Sequence, residues 1–463
     1  MDNGLFKRGG SISFPLMNRF LSLLFFLFCL PAFSNERPNV VLILSDDQSW
    51  TDYSFIGHKV IETPALDKFA KESLTYTRGY VTSPLCRPSL ASIFSGLHTP
   101  VHGITGNDVR KKNGKGKFSR NHPAEGKIHE QIYADFEKRD GLARLLGKEG
   151  YLSLQTGKWW EGKPQRHGFT HAMTHADPAK GGRHGDVGLK ISREGIAPIK
   201  SFLDEAKAEK KPFFIWHAPF LPHTPHNPPQ ELYDKYLKKG ESKFVARYYA
   251  MVEWFDQTCG ELFKELDQRG LSKNTIVIYV TDNGWIQSED SGRYAPLSKQ
   301  APYEMGIRTP IMIRWPGHIE PKMDKETLVS SIDIAPTILK MVGVKVPQAM
   351  TGVDLRDTAA LKKRNVVFGY DGNHDMFDVN DRTANMESRY IVQGDWKLLL
   401  HDPENYGLPY AGKSAAHPDN PEGRPELYHV MEDPHEKKNL AAEKPAKVAE
   451  MTKVLDAWWK PAK

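Results

Sequence analysis

The chain predicts an α/β fold: a large mixed, mostly parallel sheet flanked by helices, with a smaller C-terminal α+β domain containing an antiparallel sheet. Three observations carry this. Short β-branched apolar runs alternate with helical patterns from Arg37 onward, as in a parallel sheet covered on both faces. Two of the runs end in acidic and amide residues, Asp46-Asp47 and Asp282-Asn283-Gly284. After about Val346 the texture changes to short strand-like pieces between Gly, Pro and Asp turns.

The elements follow in order. Residues 39–45 (Asn-Val-Val-Leu-Ile-Leu-Ser) read as a buried parallel strand. Thr63 caps a helix whose first residue is Pro64. Pro88 suits the first position of another helix, which leaves Cys86 just ahead of its N-terminus. Residues 141–148 form a helix and 151–156 a strand. Residues 212–217 and 275–281 are further strands, and 244–266 carry a long helical pattern. The C-terminal part predicts strands at 390–392, 396–400 and 426–428 and a closing helix over 445–459. Residues 110–127, rich in Lys, Arg and Gly, read as an exposed loop, either a solvated excursion or a basic rim. The expected division is a segment 1–34, a catalytic α/β domain 35–350 and a smaller domain 351–463.

Hydrophobic content of 39% with 26% charged residues describes a globular rather than a disordered chain. The net charge of +6 permits an anionic substrate. No nucleic-acid-binding pattern accompanies it, so no nucleic acid partner is expected. At the start, Lys7, Arg8 and Arg19 precede an apolar core at 20–30 and the small-residue stretch Pro31-Ala32-Phe33-Ser34. That order predicts a secretory signal over 1–34 and a secreted or periplasmic mature chain. The apolar core falls short of the ~20 residues of a spanning helix, so no stable membrane span is expected. Phe28 before Cys29 makes a poor lipoprotein site. Cys86 and Cys259 remain after export and could pair, although a dense disulfide framework is excluded.

In open α/β sheets, ligands sit beyond the carboxyl ends of the strands. Asp46, Asp47, Asp282 and Asn283 delivered there make a hard oxygen site, suited to Ca²⁺ or Mg²⁺ rather than zinc. Each pair alone could be a turn former. Together with Cys86 ahead of a helix they point to one site.

With these motifs in hand, the sequence resembles the type I sulfatases of the alkaline phosphatase superfamily, including secreted bacterial polysaccharide sulfatases. The resemblance covers essentially the whole mature chain. It runs through Asp46-Asp47, Cys86-Arg87-Pro88-Ser89 to Gly96, Thr156-Gly157-Lys158-Trp159, Pro222-His223-Thr224-Pro225 and Asp282-Asn283-Gly284. It continues with Lys299, then Tyr303-Glu304-Met305-Gly306-Ile307-Arg308-Thr309-Pro310, and ends in Glu426-Leu427-Tyr428, Asp433-Pro434 and Asn439-Leu440. It implies that a formylglycine-generating enzyme oxidises Cys86 during export to formylglycine, an aldehyde hydrated to a gem-diol. It also implies calcium, ahead of magnesium, on Asp46, Asp47, Asp282, Asn283 and the converted Cys86. The metal would lower the pKa of the gem-diol oxygen and polarise the sulfate.

The implied reaction is attack of one gem-diol oxygen on the sulfur of a sulfated carbohydrate, displacing the sugar alkoxide. Loss of the second hydroxyl's proton then expels sulfate. Lys158 and Lys299 would hold sulfate oxygens. His223 would hydrogen-bond the sulfate or protonate the leaving oxygen, with Lys299 the competing acid.

Two family positions differ. Leu90 stands where the signature has the Arg that braces formylglycine and the metal ligands, and Trp160 where it has the His that partners the formylglycine hydroxyl. Arg87 is a nearby substitute for the first, and His102, His223 and His226 are candidate bases for the second. Trp159, Trp160, Arg166, His167, His171, His175, Arg183 and His184 crowd the segment after Lys158, as a specificity region or as surface residues. The alternatives are a phosphodiesterase or phosphonate hydrolase of the same superfamily, and a non-catalytic binder of sulfated glycans.

Overall fold

The computed structural model describes residues 37–111, 122–177, 180, 182, 184–408 and 417–461. The expected signal segment, Cys29, most of the basic loop and Arg183 lie outside them. The described residues form one compact unit. Among the described residues no helix is long and apolar enough to cross a membrane.

Nine strands build the large sheet: β1 (Asn39–Ser45), β2 (Leu74–Tyr80), β4 (Leu152–Gly157), β5 (His171–Ala172), β6 (Phe213–Ala218), β7 (Thr275–Thr281), β8 (Arg308–Arg314), β9 (Lys322–Asp324) and β10 (Val329–Ser330). Their order is β10-β2-β8-β7-β1-β6-β4-β5, with β9 also on β2. The block β7-β1-β6-β4 is parallel, whereas β8 runs antiparallel to both β7 and β2, so the sheet is mixed. β2 and β8 escape the sequence reading because both carry polar residues: Thr75, Thr77 and Arg78 in one, and Arg308, Thr309 and Arg314 in the other.

Side chains alternate across a strand, and that divides the core. Val40, Leu42 and Leu44 face the helices Cys86–Ser95, Leu142–Gly147 and Ile334–Met341. Val41 and Ile43 face Pro64–Lys71, Ala197–Glu209 and Lys243–Gln268. Each such side chain, fully buried, stabilises the fold by about 1.5–3 kcal/mol. Thr63 precedes the helix Pro64–Lys71 but makes no side-chain cap. Asp256, from the long helix, accepts the Ala65 and Leu66 N–H groups instead, at 3.0 and 2.7 Å.

A second sheet follows, β11 (Val366–Gly372), β13 (Met386–Gln393), β14 (Trp396–His401) and β15 (Glu426–His429), antiparallel throughout. One face, with Val367, Tyr390, Val392 and Leu399, packs on Tyr80 and Ile307 of the large-sheet region. The other face takes Met451 and Leu455 of the helix Pro445–Trp458. Polar ties cross the junction: Tyr303 donates to Glu426 at 3.1 Å, and Lys397 Nζ lies 2.7 Å from Glu436 and 3.4 Å from Glu304. The motifs around Tyr303–Glu304 and Glu426–Tyr428 therefore join the two sheets. A separate two-residue ladder, β3 (Asp108–Val109) with β12 (Asp375–Met376), also links distant parts of the chain.

Candidate active site

Four adjacent parallel strands end side by side, and each delivers part of one cluster. β1 leads into Asp46 and Asp47, β7 into Asp282 and Asn283, β4 into Lys158, and β6 into the turn bearing His223. Asp46 N–H continues the ladder to Leu221 O at 3.0 Å, and Asp282 N–H donates to Ser45 O at 3.0 Å. The cluster thus hangs on sheet hydrogen bonds rather than on a free loop. Gly157 lets β4 close on β6: its φ is +75°, and a Cβ there would stand 1.8 Å from Ala218 O.

The helix that carries Cys86 spans Cys86–Ser95, with Leu85 as its cap residue. Cys86 is therefore the first helical residue, not the one ahead of the helix, and Pro88 is the third. Proline fits there because the first-turn N–H groups have no acceptor within the helix. All ten residues are buried. The Cys86 thiol is 1% exposed and burial pushes its pKa up to about 12. Cys86 and Cys259 are both free, so the possible pairing does not form.

Around Cys86 the charges interlock. One ligand atom each from Asp46, Asp47, Cys86 and His223 lies within 4.8 Å of all the others. Lys158 Nζ spans both oxygens of Asp46 at 2.9 and 2.8 Å. Lys299 Nζ spans both oxygens of Asp47 at 2.7 Å. Asp282 Oδ1 accepts the N–H of Asp47 at 3.1 Å and of Asn283 at 2.7 Å, and Asn283 Nδ2 donates to Asp47 at 2.7 Å. Two oxygens are left over: Asp282 Oδ2 and Asn283 Oδ1 are buried and accept no hydrogen bond.

Burial raises the pKa of Asp46 against the pull of Lys158. Burial and then Asp46 raise that of Asp282. Burial is the largest influence on the two lysines and works against their charge, but their anionic neighbours together, led by Asp46 for Lys158 and Asp47 for Lys299, outweigh it, so both stay ammonium ions. Phe220 lies under Lys158 at 5.2 Å and Trp285 under Lys299 at 5.7 Å, each adding a cation–π contact.

Of the three candidate histidines, His223 is the one in the cluster. Its Nε2 is 3.3 Å from Asp47 Oδ2, and its Nδ1 is 2.6 Å from Thr224 O. The Thr224 carbonyl can only accept, so Nδ1 carries a proton there, and Nε2 faces the Asp47 carboxylate. Burial, then the two lysines, keep this ring neutral. His102 instead meets Ser92 Oγ at 3.0 Å and Ile104 N–H at 3.1 Å inside the core. His226 packs against Tyr248 and Trp285.

Asp46 and Asp47 are bonded by Lys158, Lys299 and Asn283, and Arg87 does not reach them. The Arg87 guanidinium goes to Glu161 at 2.7 and 2.8 Å. Leu90 lies in the apolar core. The segment after Lys158 is largely structural: Arg166 pairs with Glu130 and Glu137, His171 with Glu205, and His175 with Asp186. His167 bonds Glu161 O. Trp160 and His184 continue toward the cluster through ring contacts His184–Phe220 and Phe220–His223 at 5.4 and 4.1 Å.

Three neighbours went unread in the sequence. Asn107 Oδ1 accepts the Arg87 N–H at 2.9 Å, so Asn107 Nδ2 faces His374 Nε2 at 3.4 Å as donor. His374 Nδ1 in turn meets Asp375 at 2.6 Å. Asn107 and His374 are 267 residues apart, brought together by the β3–β12 ladder and the Arg110–Asp375 ion pair beside it.

Residues 38–344 match the family described as Sulfatase, and residues 292–408 match the N-sulphoglucosamine sulphohydrolase C-terminal family. The chain is 28% identical to N-acetylgalactosamine-6-sulfatase of Mus musculus over 388 residues, 74% of this chain and 71% of that protein. It is 24% identical to an ulvan-active sulfatase of Formosa agariphila over 435 residues, 88% and 76% of the two chains. For the mammalian N-acetylgalactosamine-6-sulfatases the matched segments span 65% to 71% of their length. The solved structure of Ps i-CgsB with k-i-k-neocarrahexaose shares the fold at a TM-score of 0.67 and 22% identity, covering 92% of this chain and 93% of that one.

Proposed function

The chain belongs to the sulfatase family, enzymes that hydrolyse sulfuric esters, and on that premise we propose that it removes sulfate from a sulfated carbohydrate, a polysaccharide or its oligosaccharides. In this reading residue 86 works as formylglycine, calcium is bound beside it, and the enzyme acts after export as a secreted or periplasmic protein.

One observation carries the reading: Asp282 Oδ2 and Asn283 Oδ1 are buried without hydrogen bonds beside Asp46, Asp47 and residue 86. Buried oxygens that accept no hydrogen bond are costly; Lys158 Nζ approaches Asp282 Oδ2 only to 3.8 Å, and a hard dication satisfies both oxygens. Charge balance agrees. With a dication bound and all three carboxylates ionised on it, three anions, two ammoniums and the dication sum to one positive charge, suited to a sulfate ester anion. Asp46, Asp47, Asp282 and Asn283 would hold calcium, which supplies Lewis acidity toward the sulfate and the reacting oxygen. A buried thiol with its pKa near 12 is a poor nucleophile. Formylglycine supplies at the same place a hydrated aldehyde whose oxygens suit a hard cation.

The chain's own residues do the rest. Lys158 and Lys299 stay positively charged and sit where sulfate oxygens gain charge. His223 offers Nε2 as the atom that takes and returns a proton at the reacting oxygen, the role for which Trp160 has no chemistry. The names of the relatives, acting on ulvan or on N-acetylgalactosamine 6-sulfate, support a sulfated sugar as substrate.

The test is protein made in a host that forms formylglycine. Peptide mass should show residue 86 converted, and sulfate should be released from defined sulfated oligosaccharides, with Cys86→Ala inert. Intact thiol in material that releases sulfate would overturn the formylglycine assignment. Preference for phosphodiesters would favour the hydrolase alternative. Tight glycan binding without release by converted protein would favour the binder.

A further inference from the structure

Arg87 is a cation shut into the core one residue after Cys86, with a side chain 1% exposed. Its Nε and Nη2 donate in parallel to the two oxygens of Glu161, at 2.7 and 2.8 Å, and Glu161 is 4% exposed. Its Nη1 donates to Asn107 O at 3.2 Å, and its backbone N–H donates to Asn107 Oδ1 at 2.9 Å. Asn107 thus grips the main chain and the side chain of the same residue. Glu161 stands three residues after Lys158 and is itself held, its carbonyl meeting His167 Nε2 at 2.8 Å. The ion pair therefore spans the two segments that deliver Cys86 and Lys158 to the site.

The surroundings are apolar. Leu90, Phe94, Trp159 and Trp160 line the same small cavity as Arg87, Glu161 and Lys158. An apolar pair of similar volume would fill such a place at no loss of stability, because desolvating two charges offsets most of their attraction. What a two-pronged guanidinium–carboxylate contact adds is a fixed distance and direction. We propose that Arg87 and Glu161 are a positioning pair that fixes residue 86 against Lys158. The inference rests on the reading of residue 86 as the reacting group. A displacement of about 1 Å between reacting groups costs on the order of a hundredfold in rate, so the pair governs turnover rather than binding.

Arg87→Lys keeps the charge and loses the fork; Glu161→Gln keeps the shape and loses the charge. With a sulfated oligosaccharide that tests the proposed activity, each should lower kcat by about tenfold or more with little change in KM, and the double variant should be no worse than the poorer single. A second arm needs no turnover. In protein from a host that leaves residue 86 as cysteine, alkylation of Cys86 should quicken by about tenfold in each variant, while Cys259, buried in the core of the long helix, stays protected. Unchanged Cys86 labelling in the variants, or variant kcat equal to that of a wild type that releases sulfate, would overturn the pair's role, as would Cys86 and Cys259 quickening together, which is general loosening. A wild type that releases no sulfate defeats the sulfatase reading, and the labelling arm still decides the positioning. If Arg87→Lys does not fold, Glu161→Gln carries both arms.

Discussion

Asp282 holds Asp47 by its backbone: Oδ1 accepts the Asp47 N–H at 3.1 Å, while Oδ2 of the same carboxylate is left without a hydrogen bond. Asp47 sits in the left-handed region at φ 64°, a conformation that costs a non-glycine residue about 1 kcal/mol or more. One oxygen of Asp282 thus stabilises a strained turn and the other faces the site. Calcium should therefore raise the thermal midpoint, a chelator should lower it and stop sulfate release, and Asp282→Asn should abolish the chelator's effect. An equal chelator response in Asp282→Asn would count against Asp282 as a ligand. The check is thermal denaturation with and without added calcium.

The two lysines invite a direct comparison. Each caps one carboxylate, and its anionic neighbours hold it as an ammonium ion; in the proposed reading both act by charge. Lys158→Ala and Lys299→Ala should each cut kcat/KM for sulfate esters by roughly 10²–10³. Steady-state kinetics on a common substrate checks this. A loss under threefold in either would remove that lysine from the sulfate site.

Asp256 gives a pH prediction remote from the cluster. Burial, opposed by the Leu66 and Ala65 N–H groups, raises its pKa from 3.8 to about 7. The folded state then binds the proton more tightly than the unfolded chain. This contribution to stability is full below about pH 4 and is lost as pH rises through 7. Asp256→Asn cannot ionise, so its thermal midpoint should gain on the wild type across that window and level off above it. A difference that stays flat with pH would refute the assignment.

Gly157→Ala should destabilise by about 2–4 kcal/mol. The added carbon would strike Ala218 O in a backbone conformation that already disfavours it. Because Lys158 is next in the chain, the variant should also lose activity beyond its loss of stability. Urea unfolding beside kinetics separates the two.

The sequence was legible where a signal is local. β1 and β7 begin and end where their apolar runs do, because burial on both faces leaves no polar residue to blur them. Asp46, Asp47, Lys158, Asp282 and Asn283 were legible because each follows a strand end directly, and Cys86, His223 and Lys299 only through their motifs. What stayed hidden depends on tertiary partners. Arg87 reads as a stray charge until Glu161 lies opposite it. His374 and Asp375 carry no cue that a ladder to residue 108 will bring them beside Asn107. Asp256 caps a helix that starts almost two hundred residues earlier, and the helix start at Cys86 shifted because proline is tolerated throughout a first turn.

The complete burial of the helix Cys86–Ser95 also sets an order of events in time. With its first residue 1% exposed and nine buried residues after it, the finished protein offers an outside catalyst no handle on residue 86. Any enzyme that remodels this side chain must meet it while the segment is still extended, before the sheet and its helices close. Folded thiol-form protein should stay unconverted in its presence, whereas the emerging chain should not. The reactive group would then be sealed in by the folding that makes it useful.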